Sequence, residues 1–300
     1  MALTILDEPI KKEKQEWFID NILPKGRLVL LAGESGIGKS SLTAYLATMM
    51  PKQFNVMFWL LEDDVQTYIN KIGNNQNIKY CDYRKVNGET RIPTAKEIEQ
   101  DIMNYDISLL VIDPIAFMMN GDMNDNQKVR ALLTPLQDVA KRTCSTILGV
   151  HHFSKGHGRV KDRATGAHAW VATPRHVLSF VKDADDRMFL EVTKSNIAKT
   201  GTSWEALPII DGYCLKITGL IDAEQGSVQK AMDSIYDDEH EKKPAPVIQK
   251  LKEKFNIGEK FSLDDVDACG NRKSFYNWTK NNSEKIQMEK DGRKAYYWFI

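Results

Sequence analysis

The sequence predicts an α/β fold built on a mostly parallel sheet and followed by a small second domain, and three observations carry that prediction. Apolar runs at 27–32, 54–61, 107–112 and 145–150 alternate with stretches whose apolar residues recur at helical spacing. Strand, helix, strand, helix in that order builds a parallel sheet through right-handed crossovers. These runs end abruptly in polar residues, among them Glu62, Asp113 and the pair His151-His152, at the strand ends where α/β proteins keep their chemistry. Beyond residue 246 the pattern changes to short helices and a terminal hairpin.

Bulk properties bound the rest. The 300 residues are 42% hydrophobic and 27% charged, an ordinary composition for a soluble globular chain with room for a large core and an appendage. Lys+Arg and Asp+Glu both number 41, so any nucleic-acid surface has to be local. Cys81, Cys144, Cys214 and Cys269 lie far apart with no C-x-x-C pair, which suits isolated thiols in a reducing compartment. The stretch Met1–Ile10 lacks a basic-then-apolar leader, and no apolar run reaches the ~18 residues of a membrane span. The expected location is the cytoplasm, with no membrane partner.

Taken in order, residues 1–24 are a charged N-terminal segment with one apolar cluster at Trp17, Phe18, Ile19, Ile22 and Leu23, and Pro24-Lys25-Gly26 turns into the first core strand. A helix through Leu42, Tyr45, Leu46 and Met49 follows. The strand at 54–61 comes next, then a helix pattern, a weak strand at 78–83, and a helix opened by the capping box Thr94 and Glu97. After the strand at 107–112, a Gly/Asp/Asn-rich loop leads to a helix through Val129, Leu133, Leu136 and Val139. Shorter alternating runs at 177–181, 188–192 and 213–218 read as hairpins that finish the sheet. Residues 1–222 thus form the first domain and 223–245 a linker with room for one short helix. Residues 246–300 hold three helices and two strands around Asp291-Gly292, the layout of a winged helix.

The most specific local signal is Gly33-Glu34-Ser35-Gly36-Ile37-Gly38-Lys39-Ser40, which reads G-x-x-x-x-G-K-S between a strand and a helix. Backbone N–H groups must curl around phosphate oxygens with no Cβ in the way, hence the glycines. Lys39 reaches the terminal phosphates and the Ser40 hydroxyl is placed to ligate Mg²⁺. Gly33, Ser35, Gly36, Ile37, Gly38, Lys39, Ser40 and Ser41 are therefore the candidate ATP-binding residues of a P-loop NTPase core. Asp113, leaving an apolar strand, is the candidate to complete the metal site with Ser40. Glu62 is the candidate base for the attacking water, on a strand expected to neighbour the loop strand, with Asp63 and Asp64 as alternatives.

The ordered set of phosphate loop, Leu61-Glu62-Asp63, Val111-Ile112-Asp113-Pro114, His151-His152-Phe153-Ser154-Lys155, Arg163-Ala164-Thr165-Gly166 and Thr193-Lys194-Ser195-Asn196 resembles the RecA-like ATPase core of plasmid- and phage-encoded hexameric helicases of the RepA type. More distantly it is similar to DnaB-type replicative helicases. The resemblance covers roughly residues 15–220. It implies Glu62 as the catalytic glutamate, Asp113 as the Walker B aspartate, and His152 at the position of the γ-phosphate sensor. It also implies a hexameric ring on single-stranded DNA. Lys194 falls where DnaB-type relatives keep a lysine that enters the neighbouring subunit's site. Two places on, Asn196 replaces the expected arginine, leaving Arg175 and Arg187 as substitutes.

Lys155, Arg159, Lys161 and Arg163, with two glycines among them, suit a loop that touches a sugar-phosphate backbone without reading bases. A solvated surface loop is the plain alternative. In the C-terminal module Arg272, Lys273 and Arg293 are candidate nucleic-acid contacts, and the same module also suits docking to a replication protein. The functional expectation is an ATP-driven ring motor on single-stranded DNA. The alternatives are a recombinase-like mediator and a nucleotide-switched DNA-binding regulator.

Overall fold

The computed structural model describes residues 14–62, 64–73, 75–81, 92–119, 121–153, 168–242, 246–281, 283–291 and 294–300. The chain divides into two compact units, Met1–Met232 and Asp233–Ile300. A small ribbon, β1 (Trp17–Ile19) with β2 (Leu23–Pro24), precedes the main sheet. Its turn is tied down: buried His176 donates from Nε2 to the Asn21 carbonyl at 2.9 Å, and Trp17 meets that ring edge-on.

The main sheet contains β3 (Leu28–Gly33), β4 (Asn55–Leu60), β5 (Ile78–Cys81), β6 (Ile107–Asp113), β7 (Thr146–His152), β8 (His176–Lys182), β9 (Met188–Ser195), β10 (Ser203–Asp211) and β11 (Cys214–Ala223). Among the described residues its nine strands run β11-β10-β9-β8-β3-β7-β6-β4-β5. From β5 to β8 every pairing is parallel, and β9 to β11 extend the sheet antiparallel. The mostly parallel α/β core is the one the sequence predicts.

Alternation along the strands builds three layers. β3 sends Val29 and Leu31 to one face, where Leu42 and Leu46 of α1 (Lys39–Met49) and Tyr68 of α2 (Val65–Ile72) cover them. Leu28 and Leu30 face the other way, toward Ile98 and Ile102 of α3 (Ala95–Asn104) and Leu133 and Leu136 of α4 (Asn126–Thr143). Burial on both faces is why β3 reads as one continuous apolar run. α3 starts at the expected capping box: Thr94 Oγ1 accepts from the Glu97 amide and the Glu97 carboxylate accepts from the Thr94 amide. No helix among the described residues is long and apolar enough to cross a membrane.

Three expectations need correction or refinement. β4, which delivers Glu62, does not neighbour β3, because β7 and β6 stand between them. An apolar run marks a buried strand but carries no information on its partners, and here each later crossover returns toward β3 and fills the gap. β8 likewise flanks β3 in the middle of the sheet, while β10, whose second half is exposed, has no clear apolar alternation and is missing from the sequence reading. The segment 223–245, expected as a linker with at most one short helix, holds a 16-residue helix, Ser227–Lys242. Its first turns bury Val228, Ala231 and Met232 in a cluster with Ala32, Phe153, Val181 and Phe189.

The second unit contains helices Pro246–Lys254, Leu263–Cys269 and Arg272–Asn281 and the strands β12 (Phe261–Ser262), β13 (Ile286–Asp291) and β14 (Lys294–Phe299). They form an antiparallel sheet in the order β12-β14-β13. Phe261 is its hub, 1% exposed and ringed by Phe255, Phe275, Tyr297 and Phe299 at centroid distances of 5.3 to 6.2 Å. Removing so large a core ring from so small a unit costs about 3–5 kcal/mol, close to all that such a core supplies. Phe261→Ala is expected to expose 246–300 to limited proteolysis, read by mass spectrometry, while the first unit stays resistant and keeps its melting transition.

Candidate functional site

The carboxyl ends of β3, β4, β6 and β7 converge on the start of α1. A Cβ on Gly33 would stand 2.4 Å from the Phe180 carbonyl oxygen on β8, so the strand exit admits only glycine without a backbone shift. Gly38, the N-cap of α1, has φ 90° and lies under Leu215, whose Cδ2 would be 2.7 Å from an added Cβ. Both constraints hold the 33–38 loop over the open amides of α1, where the helix dipole favours an anion. Ser35 and Gly36 are exposed and Ile37 is buried beneath them. The Ser41 hydroxyl is committed to the Leu215 carbonyl of β11 at 2.7 Å, so its amide is what remains to face a phosphate.

Lys39 is 5% exposed. Its ammonium donates to the carbonyls of Gly33 at 3.0 Å and Glu34 at 2.5 Å and lies 3.2 Å from His152 Nδ1. Burial pulls its pKa from 10.5 down to about 8, against the opposing pull of Asp113, Glu62 and Glu34. A shift of that size corresponds to about 3 kcal/mol set against the charged form. A bound polyphosphate would supply the missing counter-charge.

Ser40 and Asp113 meet as the sequence predicts: Ser40 Oγ donates to Asp113 Oδ2 at 2.9 Å. That bond spends the hydroxyl proton and leaves the oxygen lone pairs outward, the donor set that a hard cation such as Mg²⁺ takes from a serine and a nearby carboxylate. Sequence reasoning missed a third member. Tyr68, fully buried on α2, donates from its hydroxyl to the same Oδ2 at 2.6 Å. Burial, then the Asp113 charge, raise the Tyr68 pKa well above its usual value, so it remains a donor. Its place on the helical apolar stripe of 65–72 is the same for a plain core ring, and only the fold reveals the carboxylate opposite.

The two histidines separate. His152 faces the loop, and since a lysine ammonium can only donate, Nδ1 accepts and the ring is the Nε2–H tautomer. Burial and then Lys39 lower its pKa. His151 points to the other side, stacked on Trp170 at 4.3 Å, with its pKa lowered by burial to about 4 and no hydrogen-bond partner for Nδ1 among the described residues. Glu62 is exposed, and its charge is felt by both Lys39 and His152. It leaves β4, three strands away from β3, on the same carboxyl edge of the sheet as the loop. Asp64 caps α2 through the Thr67 amide at 2.7 Å. Asp63 lies outside the described residues.

Lys194 is elsewhere. Strand pairing puts it across from Val177 at the start of β8, the end of the sheet opposite the loop, and its ammonium is held by the carbonyls of Ala172 and Pro174. Arg175 adjoins it, accepting the Asn196 amide on its carbonyl at 3.0 Å, and lowers the Lys194 pKa after burial does. Arg187 is paired with Asp183 at 2.8 Å. Among the described residues no arginine is named as a charge acting on Lys39 or His152. Lys155, Arg159, Lys161, Arg163 and Arg293 lie outside the described residues, as does the side chain of Lys273. Arg272 is engaged by Asp267 through two hydrogen bonds at 2.6 and 2.5 Å.

Residues 2–158 match the model of a family described as an AAA domain, a span of more than half of the 300 residues. The chain belongs to that family. No match to a curated protein was found. The AAA domain span contains β3 to β7 and with them Lys39, Ser40, Glu62, Asp113 and His152, while Lys194 and the second unit fall beyond it. Membership of this P-loop ATPase family supports nucleotide-dependent activity in general.

The geometry and charges of the site lead to three expected outcomes. Nucleotide affinity is expected to fall by up to about tenfold per pH unit above the ligand-free Lys39 pKa of about 8, because the phosphates need the ammonium and binding then takes up a proton. Calorimetric titration from pH 7.5 to 9.5 reads this, and Lys39→Met is expected to be weaker and flat. Without nucleotide the sign reverses for folding: between about 8 and 10.5 the unfolded chain holds the extra proton, so this lysine makes stability rise with pH. Tyr68→Phe keeps the core ring but frees Asp113, and is expected to raise half-saturating Mg²⁺ for ATP turnover by about tenfold, the scale of lost support to a metal-binding carboxylate.

Proposed function

We propose that the protein is a ring-forming ATPase that moves along single-stranded DNA in plasmid, phage or mobile-element replication, as in the RepA-type helicases that its motif order resembles. The observation that carries this reading is the contact between Lys39 and His152. It joins the phosphate-binding lysine to the end of the strand that runs directly into the basic segment 155–163.

The ligand-free lysine is satisfied by two loop carbonyls and an imidazole. A terminal phosphate would draw the ammonium toward itself and leave His152 Nδ1 open, so that occupancy at the loop becomes a change at the root of 155–163. Loop amides and Lys39 bind and orient the nucleotide, and Ser40 and Asp113 would hold Mg²⁺, which supplies charge neutralisation on the phosphates when bound. Glu62, exposed just past the end of β4, accepts a proton from the attacking water. Lys155, Arg159, Lys161 and Arg163 grip the DNA backbone. Lys194, at the far end of the sheet, serves a neighbouring copy's nucleotide in the hexamer, and residues 246–300 act as a winged helix on duplex DNA or a replication protein.

The regulator alternative is favoured by one observation, the separate core of the second unit. ATP turnover of wild type and Glu62→Gln, with and without single-stranded DNA and with assembly followed by light scattering, decides between them. The motor reading expects DNA-stimulated hydrolysis in a closed oligomer. It expects turnover to fall about 10²–10⁴-fold in Glu62→Gln, the usual contribution of a general base, with nucleotide binding retained. Arg159→Ala with Lys161→Ala is expected to lose the DNA stimulation and keep basal turnover. Hydrolysis indifferent to DNA, together with sequence-specific duplex binding by the full chain, would make the regulator reading the right one.

A further inference from the structure

The end of the sheet opposite the phosphate loop carries a feature that the ATPase chemistry does not use. Arg27 stands just before β3, Arg175 just before β8 and Asn196 just after β9, and α4 contributes Gln137, Asp138 and Lys141. Together they line a cavity of about 370 Å³, in the range of small-molecule pockets. Six residue steps lead from Arg27 to Gly33 along β3, roughly 20 Å of extended chain, so the cavity is no part of the same chain's phosphate loop.

Its lining is electrostatically incomplete. Three cations face one carboxylate, and among the described residues neither Lys141 nor Arg175 forms an ion pair. Arg27 spends one N–H on the Gly26 carbonyl at 3.1 Å. Beside them Gln137 Oε1 is shielded from solvent with no hydrogen-bond partner among the described residues, a costly arrangement for an acceptor. The walls therefore want two things: an anion of about two negative charges to balance three cations and Asp138, and an N–H or O–H donor for Gln137. A carboxylate brings one charge. A phosphomonoester brings about −1.5 to −2, and its oxygens suit guanidinium forks.

We propose that this cavity is a second anion site, which takes the phosphate of a phosphomonoester or nucleotide between Arg27, Lys141 and Arg175 while a donor on the same molecule satisfies Gln137. The phosphate has two sources, a free phosphorylated small molecule or the nucleotide in the phosphate loop of a second copy. Only the second source rests on the ring reading above.

The test uses the full-length chain carrying Lys39→Ala, which disables the phosphate loop, and titrates phosphoethanolamine, a phosphomonoester with ammonium donors, by calorimetry at low salt. Saturable binding is expected, weakened about tenfold or more by Arg175→Gln and again by Lys141→Gln, the scale of a charge-assisted hydrogen bond. Both side chains are exposed, and an unchanged melting temperature checks the fold. Gln137→Leu is expected to weaken phosphoethanolamine while sparing inorganic phosphate, which separates the donor contact from the charge contact. If the Lys39→Ala protein takes no probe, but Arg175→Gln and Lys141→Gln weaken nucleotide binding in wild-type assemblies and not in dilute unassembled protein, the phosphate comes from a second copy. Cavity substitutions that change neither binding overturn the proposal, whatever the ring assays show.

Discussion

A lysine ammonium held almost entirely out of water at the end of a buried strand is the constraint on which this structure turns. Lys39 is kept charged by carbonyls of its own loop and by nearby carboxylates, and burial still drags its pKa down to about 8. The fold tolerates this cost because a phosphate ligand removes it. Several local features serve that arrangement: glycine at the exit of β3, left-handed glycine at the start of α1, and a serine and a tyrosine that hold Asp113 in place. The site is thus poised rather than relaxed, and nucleotide binding releases strain of electrostatic origin.

The packing around the site explains how the geometry is held. β3 is buried on both faces and flanked by β7 and β8, so its carboxyl end moves only if the centre of the sheet moves. β11 reaches over from the antiparallel edge and clamps the start of α1 through Leu215, by a side chain on Gly38 and a carbonyl on Ser41. A late hairpin far away in sequence thereby closes the loop from above. The opposite end of the sheet is different in character. There Lys141, Arg175 and Arg27 gather around one carboxylate, with an unsatisfied glutamine oxygen beside them. The same sheet separates two positively charged ends, one built on a buried lysine and backbone amides, the other on exposed side chains.

Much of this was legible before any coordinates. The phosphate loop announces itself because wrapping a phosphate demands glycines at fixed offsets, and Asp113, by itself a plausible turn or cap residue before Pro114, is singled out by the loop that precedes it. The capping box at Thr94 and Glu97 is a purely local interaction and was readable for that reason. What resisted reading depends on contacts distant in sequence. Tyr68 looks like any helical core aromatic until Asp113 is placed opposite it. The neighbours of β4 were misjudged because strand order follows from crossovers, which leave no trace in a strand's own residues. β10 was missed because a strand exposed along its second half, where it pairs with β11 alone, loses the apolar alternation that marks burial. The helix Ser227–Lys242 read as a linker with at most one short helix because Val228, Ala231 and Met232, the apolar residues it packs against the first unit, crowd into its first turns.

The amino-acid sequence by itself determined the local chemistry of this protein: a loop shaped for phosphates, strands buried on both faces, acids at their ends, and a second small core after residue 246. Local backbone preferences and apolar periodicity act over a few residues, so they can be written into a short stretch of chain. Only the tertiary structure decided which of those groups meet. It joined Lys39 to His152 across 113 positions and Tyr68 to Asp113 across 45, turned His151 away against Trp170, and collected Arg27, Lys141 and Arg175 around one cavity. Such meetings are set by how crossovers order the strands and how helices cover them, and that is a property of the whole packed sheet.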